Sequence, residues 1–273
     1  MIEGIPSSVP EPHREFLQRL IELLSADTRI VGIAAGGSYL TNSMDAFSDL
    51  DLVIAIEPSK YVEIMADRRS IAASLGNLLA AFTGEHVGEP RVLICLYEEP
   101  LLHVDLKFVD LGDVAERVED PAVLWERDEC LSRALQQGRP EYPAPDPRWI
   151  EDRFWIWVHY AAAKIGRGEL FEALDFLSFL RGTVLGPLGL RLARGRPAGV
   201  RKIETVAPEF AEKLRGTVAG YEAADCLRAL RVCIELYRSM RQREDETEDG
   251  AKTERAAMEY VSRIEQRCGL TPR

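Results

Sequence analysis

The chain has 273 residues, with 45 Asp and Glu against 34 Lys and Arg, a formal charge of -11, and 46% hydrophobic and 29% charged residues. That composition is globular and excludes a disordered or fibrous chain; no run approaches the roughly 20 apolar residues of a membrane helix. The N-terminus lacks a basic segment followed by an apolar core. Five cysteines at irregular spacing argue against a disulfide framework or a zinc cluster, so a reduced, cytoplasmic protein is expected.

Along the chain, Glu11–Ser25 places apolar residues at helical spacing. Ile30–Ala35 is a short apolar run that breaks at Gly36-Gly37-Ser38, as a buried strand entering a glycine turn does. Leu50–Ile56 alternates as a strand with one buried face. The period predicts a helix over Tyr61–Phe82, then strands at Arg91–Tyr97 and Leu102–Val109 joined through Glu98-Glu99-Pro100, an arrangement compatible with a hairpin. Pro121–Gln137 is predicted helical.

Four prolines between Pro140 and Pro147 mark a linker. Beyond it no strand is predicted. Helices are expected at Trp149–Ile165, Glu169–Leu180, Pro208–Thr217, Tyr221–Met240 and Thr253–Cys268. Gly166-Arg167-Gly168 is expected to turn between the first two, and Arg241–Gly250 to form an exposed loop. The expected architecture is therefore α+β. A domain over residues 1–140, with a small mixed sheet and flanking helices, precedes an all-α helical bundle over 147–273.

Charge divides along the same line. Residues 1–120 carry 21 acids and nine bases, whereas residues 121–273 carry 24 acids and 25 bases. An acidic first half disfavours nucleic acid, whose binding rests on phosphate neutralisation, and suits metal ions or a cationic small molecule.

The segment that carries chemistry is Gly36-Gly37-Ser38, followed after ten intervening residues by Asp49-Leu50-Asp51, and about fifty residues later by His103-Val104-Asp105-Leu106-Lys107. Alternate residues of a strand share a face, so Asp49 and Asp51 point the same way. Two carboxylates with no base between them repel, and Mg²⁺, which prefers carboxylate and phosphate oxygens, relieves that repulsion. If the strand of Asp105 is a neighbour, three acids converge, enough to hold two metals for phosphoryl or nucleotidyl transfer. Glycines let backbone N–H groups approach a phosphate, and a helix starting at Ser38 would add partial positive charge.

This pattern resembles the nucleotidyltransferase superfamily that includes DNA polymerase β. The resemblance implies that Gly37 and Ser38 hold the triphosphate of ATP. It also implies that Asp49, Asp51 and Asp105 bind two Mg²⁺, with Asp105 at or beside the group that activates the attacking hydroxyl. The stretch Phe154–Asp175, aromatic-rich with Lys164 before a short turn, looks like the helical domain of aminoglycoside and streptomycin adenylyltransferases. That similarity implies an ATP site between the domains, with Lys164 on the triphosphate and AMP passing to a small hydroxylated, aminoglycoside-like cation. Lys107 is a further candidate for neutralising phosphate, or for pairing Asp105 or Asp49. His103 shares the face of Asp105. Asp45 and Ser48 read as turn residues, and the basic run between Asp175 and Glu204 reads as a surface or as part of the cleft. Weighed beside this reading are a protein-adenylylating, antitoxin-like enzyme, a non-catalytic nucleotide binder and an RNA nucleotide-adding enzyme. A monomer or homodimer is expected, without nucleic-acid or membrane partners.

Overall fold

A computed structural model describes residues 5–241 and 248–269. The chain divides into two compact units, Met1–Tyr142 and Pro143–Arg273.

The first unit is α+β. Its helices are α1 (Glu11–Ser25), α2 (Tyr61–Ser74) and α3 (Cys130–Leu135). Its strands are β1 (Ile30–Ala35), β2 (Leu50–Ile56), β3 (Asn77–Gly84), β4 (Glu89–Glu98), β5 (Leu102–Asp110) and β6 (Ala122–Glu126). The six strands form one mixed sheet in the order β3-β4-β5-β2-β1-β6. Only β2 and β5 run parallel; β4 and β5 are the antiparallel hairpin compatible with the sequence.

Alternation along β2 and β5 sorts the two faces. Leu50, Leu52, Ile54 and Ile56, with Val104, Leu106 and Phe108, enter the main core together with Phe16, Leu17, Leu20 and Leu24 of α1 and Ile64, Ile71 and Ala72 of α2. On the opposite face Ala55 and Val109 join a smaller cluster with Val31, Ala34, Val114 and Leu131 of α3. Gly32 makes that second layer possible, since a Cβ there would stand 2.7 Å from Leu131 Cδ2. The cluster covers only part of the face. Asp51 and Asp105 lie on the same face, outside it.

Two expectations fail in this unit. The helix predicted over Tyr61–Phe82 ends at Ser74, and Asn77–Gly84 is the edge strand β3. Gly76 interrupts the helical run, and Leu78-Leu79-Ala80-Ala81-Phe82 is a short apolar stretch whose period does not separate helix from strand. The helix predicted over Pro121–Gln137 is instead β6 followed by α3. Asp128 and Glu129, at φ 50° and 55°, make the turn between them.

The second unit is all-α among the described residues: α4 (Pro147–Gly166), α5 (Leu170–Leu180), α6 (Gly186–Leu192), α7 (Ile203–Val206), α8 (Pro208–Arg215), α9 (Ala223–Met240) and α10 (Glu248–Arg267). Asp146 caps α4, accepting from Arg148 N at 2.9 Å and Trp149 N at 3.2 Å, with Pro147 in the first turn. A π-helical turn, Arg181–Leu185, joins α5 to α6. Leu170–Leu192 is thus a continuous helix that by length and composition could cross a membrane, although Glu172, Asp175, Arg181 and Arg191 interrupt its apolar residues, and half of its apolar stretch is buried inside the unit. The basic run is therefore partly helical, with Arg194, Arg196, Arg201 and Lys202 beyond α6. Of the loop expected at Arg241–Gly250, residues 242–247 lie outside the described residues, and α10 begins at Glu248.

The centre of this core is aromatic. Phe154 stacks on Tyr237 with ring centroids 3.8 Å apart, and Trp155 meets both edge-on. Glu151, only 4% exposed, accepts from Trp155 Nε1 at 3.0 Å and from the Tyr237 hydroxyl, and pairs with Arg241 at 3.3 Å. A buried carboxylate is tolerated only with such a set of partners. All five cysteines are free thiols.

Candidate active site

The wholly buried strand β1 delivers the chain to Gly36, whose N–H donates to the Asp51 carbonyl at 2.8 Å and prolongs the β1–β2 ladder by one bond. Gly37 then takes φ 58°, the left-handed region that favours glycine. Its lack of a side chain matters twice, because a Cβ here would run into Asp51 Oδ2, with Asp51 Cγ at 3.1 Å. The Asp51 carboxylate therefore lies against the glycine turn. From Gly37 to Thr41 the chain makes a five-residue 3₁₀ turn, closed by Asn42 at φ 49°. The condition of a helix starting at Ser38 is met only by this short turn, so the dipole of a long helix plays no part here. Ser38 Oγ is buried and has no hydrogen-bond partner within the protein.

The loop returning to β2 is built on Asp45. Its Oδ1 accepts from Phe47 N at 2.9 Å and from Ser48 Oγ at 3.1 Å, while Ser48 Oγ accepts from Asp45 N at 2.9 Å. Asp45 and Ser48 are thus turn residues. The loop is tied to the body of the unit through buried His13 of α1, whose Nε2 donates to the Ser48 carbonyl at 2.8 Å. Asp49 follows, half-buried, one residue ahead of β2.

Asp51 and Asp105 are direct partners in the parallel β2–β5 register. Neighbouring strands lie about 4.8 Å apart, so the two carboxylates leave adjacent strands side by side. Asp105 Oδ1 also accepts from His103 Nε2 at 2.9 Å, which orients it. Sequence reasoning reached Gly37, Ser38, Asp49, Asp51 and Asp105, and the fold gathers Gly37, Asp51 and Asp105 at one end of the sheet.

The two lysines are engaged elsewhere. Lys107 Nζ pairs with Glu89 Oε2 at 2.9 Å, not with Asp105 or Asp49. Glu89 also binds Arg91 at 2.7 Å, and the Arg91 guanidinium together with Lys107 holds its carboxyl down at about 2. In the second unit, Lys164 is clamped between Glu169 and Glu172, at 2.8 Å from each, over the ring of Tyr160. The two carboxylates raise its ammonium well above the usual lysine range.

One residue of the site went unread in the sequence. Glu119, between β5 and β6, accepts from Gly37 N at 3.0 Å. It lies 82 positions from Gly37 in a stretch rich in acids, and no spacing distinguishes it.

Among the described residues, no three His, Cys, Asp or Glu side chains are already gathered as a metal cage. The donor chemistry nevertheless fits Mg²⁺ and phosphate. Asp51 and Asp105 are adjacent hard-oxygen donors, and Ser38 Oγ is a buried hydroxyl with capacity to spare.

Solved structures similar to this chain include an aminoglycoside 6-adenyltransferase from Bacillus subtilis, at 15% identity and a TM-score of 0.39, covering 92% of this chain and 97% of that one. Another is a nucleotidyltransferase-like protein from Exiguobacterium sibiricum 255-15, at 14% identity and a TM-score of 0.37, covering 94% and 92%. No family model and no curated protein matches the chain.

Proposed function

We propose that the chain is a nucleotidyltransferase that moves AMP from ATP to a hydroxyl of a small molecule and releases pyrophosphate. The observation that carries this reading is the pairing of Asp51 with Asp105 on adjacent parallel strands, beside a glycine turn that ends in the buried Ser38 hydroxyl.

In this reading Asp49, Asp51 and Asp105 hold Mg²⁺. The metal supplies charge neutralisation for the triphosphate and for the pyrophosphate that leaves. Gly37 N–H and Ser38 Oγ bind phosphate oxygens. Asp105, oriented by His103, takes the proton of the acceptor hydroxyl as that oxygen attacks the α-phosphorus in line. No covalent protein intermediate is involved, and the rate comes from positioning and charge. The acidity of residues 1–120 favours a cationic acceptor, such as an aminoglycoside-like amine, over RNA.

The test is incubation with ATP, Mg²⁺ and a panel of hydroxylated amines, reading pyrophosphate. Acceptor-dependent release that disappears in folded Asp51→Asn and Asp105→Asn variants is expected. Labelling of protein in place of a small molecule would move the assignment to a protein-adenylylating enzyme. No calorimetric binding at millimolar ATP would sink both.

A further inference from the structure

The N–H of Gly37 is the donor that the proposed reading offers to phosphate, and in this structure it is engaged by an anion of the chain itself, the Glu119 carboxylate at 3.0 Å. Gly36 makes room for that carboxylate. Its φ of -114° is ordinary extended backbone that any residue adopts, yet a Cβ there would stand 2.9 Å from Glu119 Oε1. A side chain there would press on the Glu119 carboxylate rather than strain the backbone.

The segment bearing Glu119 is held independently of it. Arg117 Nε donates to Asp120 Oδ1 at 2.7 Å, its Nη1 to the Ala115 carbonyl at 3.0 Å and its Nη2 to the Gly138 carbonyl at 3.3 Å. Its own carbonyl accepts from Glu141 N at 2.8 Å. A rotation of the Glu119 side chain can therefore free Gly37 N–H without moving this backbone.

We infer that Glu119 is a built-in competitor for the phosphate position: its carboxylate occupies the Gly37 amide in the resting protein and must swing away when a nucleoside triphosphate binds. This rests on the proposed nucleotidyltransferase reading. Backbone N–H groups in a glycine turn hold a carboxylate or a phosphate by the same charge-assisted bond. The two anions cannot share one donor, and their like charges repel. Apparent nucleotide affinity is reduced by the fraction of protein in which the amide is available.

The test compares wild-type protein with Glu119→Asp and Glu119→Ala, titrated by calorimetry with Mg²⁺ and the α,β-methylene analogue of ATP. Glu119→Asp keeps the charge but withdraws the carboxylate by one C–C bond, about 1.5 Å. Both variants should bind about tenfold more tightly, equivalent to about 1.4 kcal/mol. The Gly37 amide resonance in ¹⁵N spectra should also shift in both variants without nucleotide. Wild-type affinity in Glu119→Asp would overturn the inference, leaving only a charge effect. Weaker binding in either variant would overturn it by making Glu119 a ligand, and an unmoved Gly37 resonance would remove the contact itself. If the wild-type protein binds no nucleotide, the functional reading fails and takes the inference with it. Binding by the wild type with unchanged variants sinks the inference alone.

Discussion

Gly37→Ala tests the proposed site at its tightest point. The backbone there sits at φ 58°, and left-handed geometry costs an L-residue about 1–2 kcal/mol. The added methyl also collides with Asp51 Oδ2, because ordinary contact requires 3.4 Å and the methyl would stand far inside that distance. Restoring contact requires the carboxylate to retreat by about 1 Å or more, a misplacement that costs on the order of 10²-fold in rate. Gly88→Ala separates the two effects, since Gly88 has φ 76° and nothing within 4 Å of the methyl group that alanine would add. Both variants should lose about 1–2 kcal/mol in urea unfolding. Only Gly37→Ala should lose nucleotidyl transfer, by about two orders of magnitude, read as pyrophosphate release. A folded Gly37→Ala protein with wild-type kcat would refute the idea that Asp51 must lie against the turn for catalysis.

Glu151→Ala removes the buried acceptor shared by Trp155, Tyr237 and Arg241, and should destabilise the helical unit by about 3–5 kcal/mol in chemical denaturation. Tyr97→Phe deletes a buried hydroxyl that donates to the Ala72 carbonyl at 2.8 Å, and should cost about 1 kcal/mol by the same measurement. Glu89, held at about 2 by Arg91 and Lys107, favours the folded state above the ordinary glutamate value of about 4.3. That contribution should vanish as pH falls from about 4.3 to about 2, and an acid titration of Glu89→Gln should lack this part of the slope.

Much of the site was legible because its residues are local in sequence or announced by alternation. Gly36-Gly37-Ser38 terminates an apolar run, and Asp49-Leu50-Asp51 opens an alternating one; β1 and β2 follow those boundaries. In the helical unit α4, α5 and α9 lie close to their predicted spans, because a one-sided apolar period of 3.6 is a strong signal over three turns or more, whereas the shorter α6 and α7 were not read. Strands β3 and β6 were not. Both are edge strands that stay largely half-covered or exposed, and each adjoins a helix whose period runs on into it.

The sequence by itself determined which residue types could do the chemistry, the run of helices after the proline-rich segment, and the acidity of the first half. Strand pairing was decided only by the tertiary structure. That Asp51 stands beside Asp105 depends on β2 and β5 being parallel neighbours in one register, a non-local choice made by two buried faces packing together. The partners of the charged groups were also decided there. Lys107 goes to Glu89, Lys164 to Glu169 and Glu172, and Glu119 reaches across 82 residues to Gly37. Charge pairing acts over a few ångströms of space, and sequence spacing does not encode those distances for residues brought together by the fold.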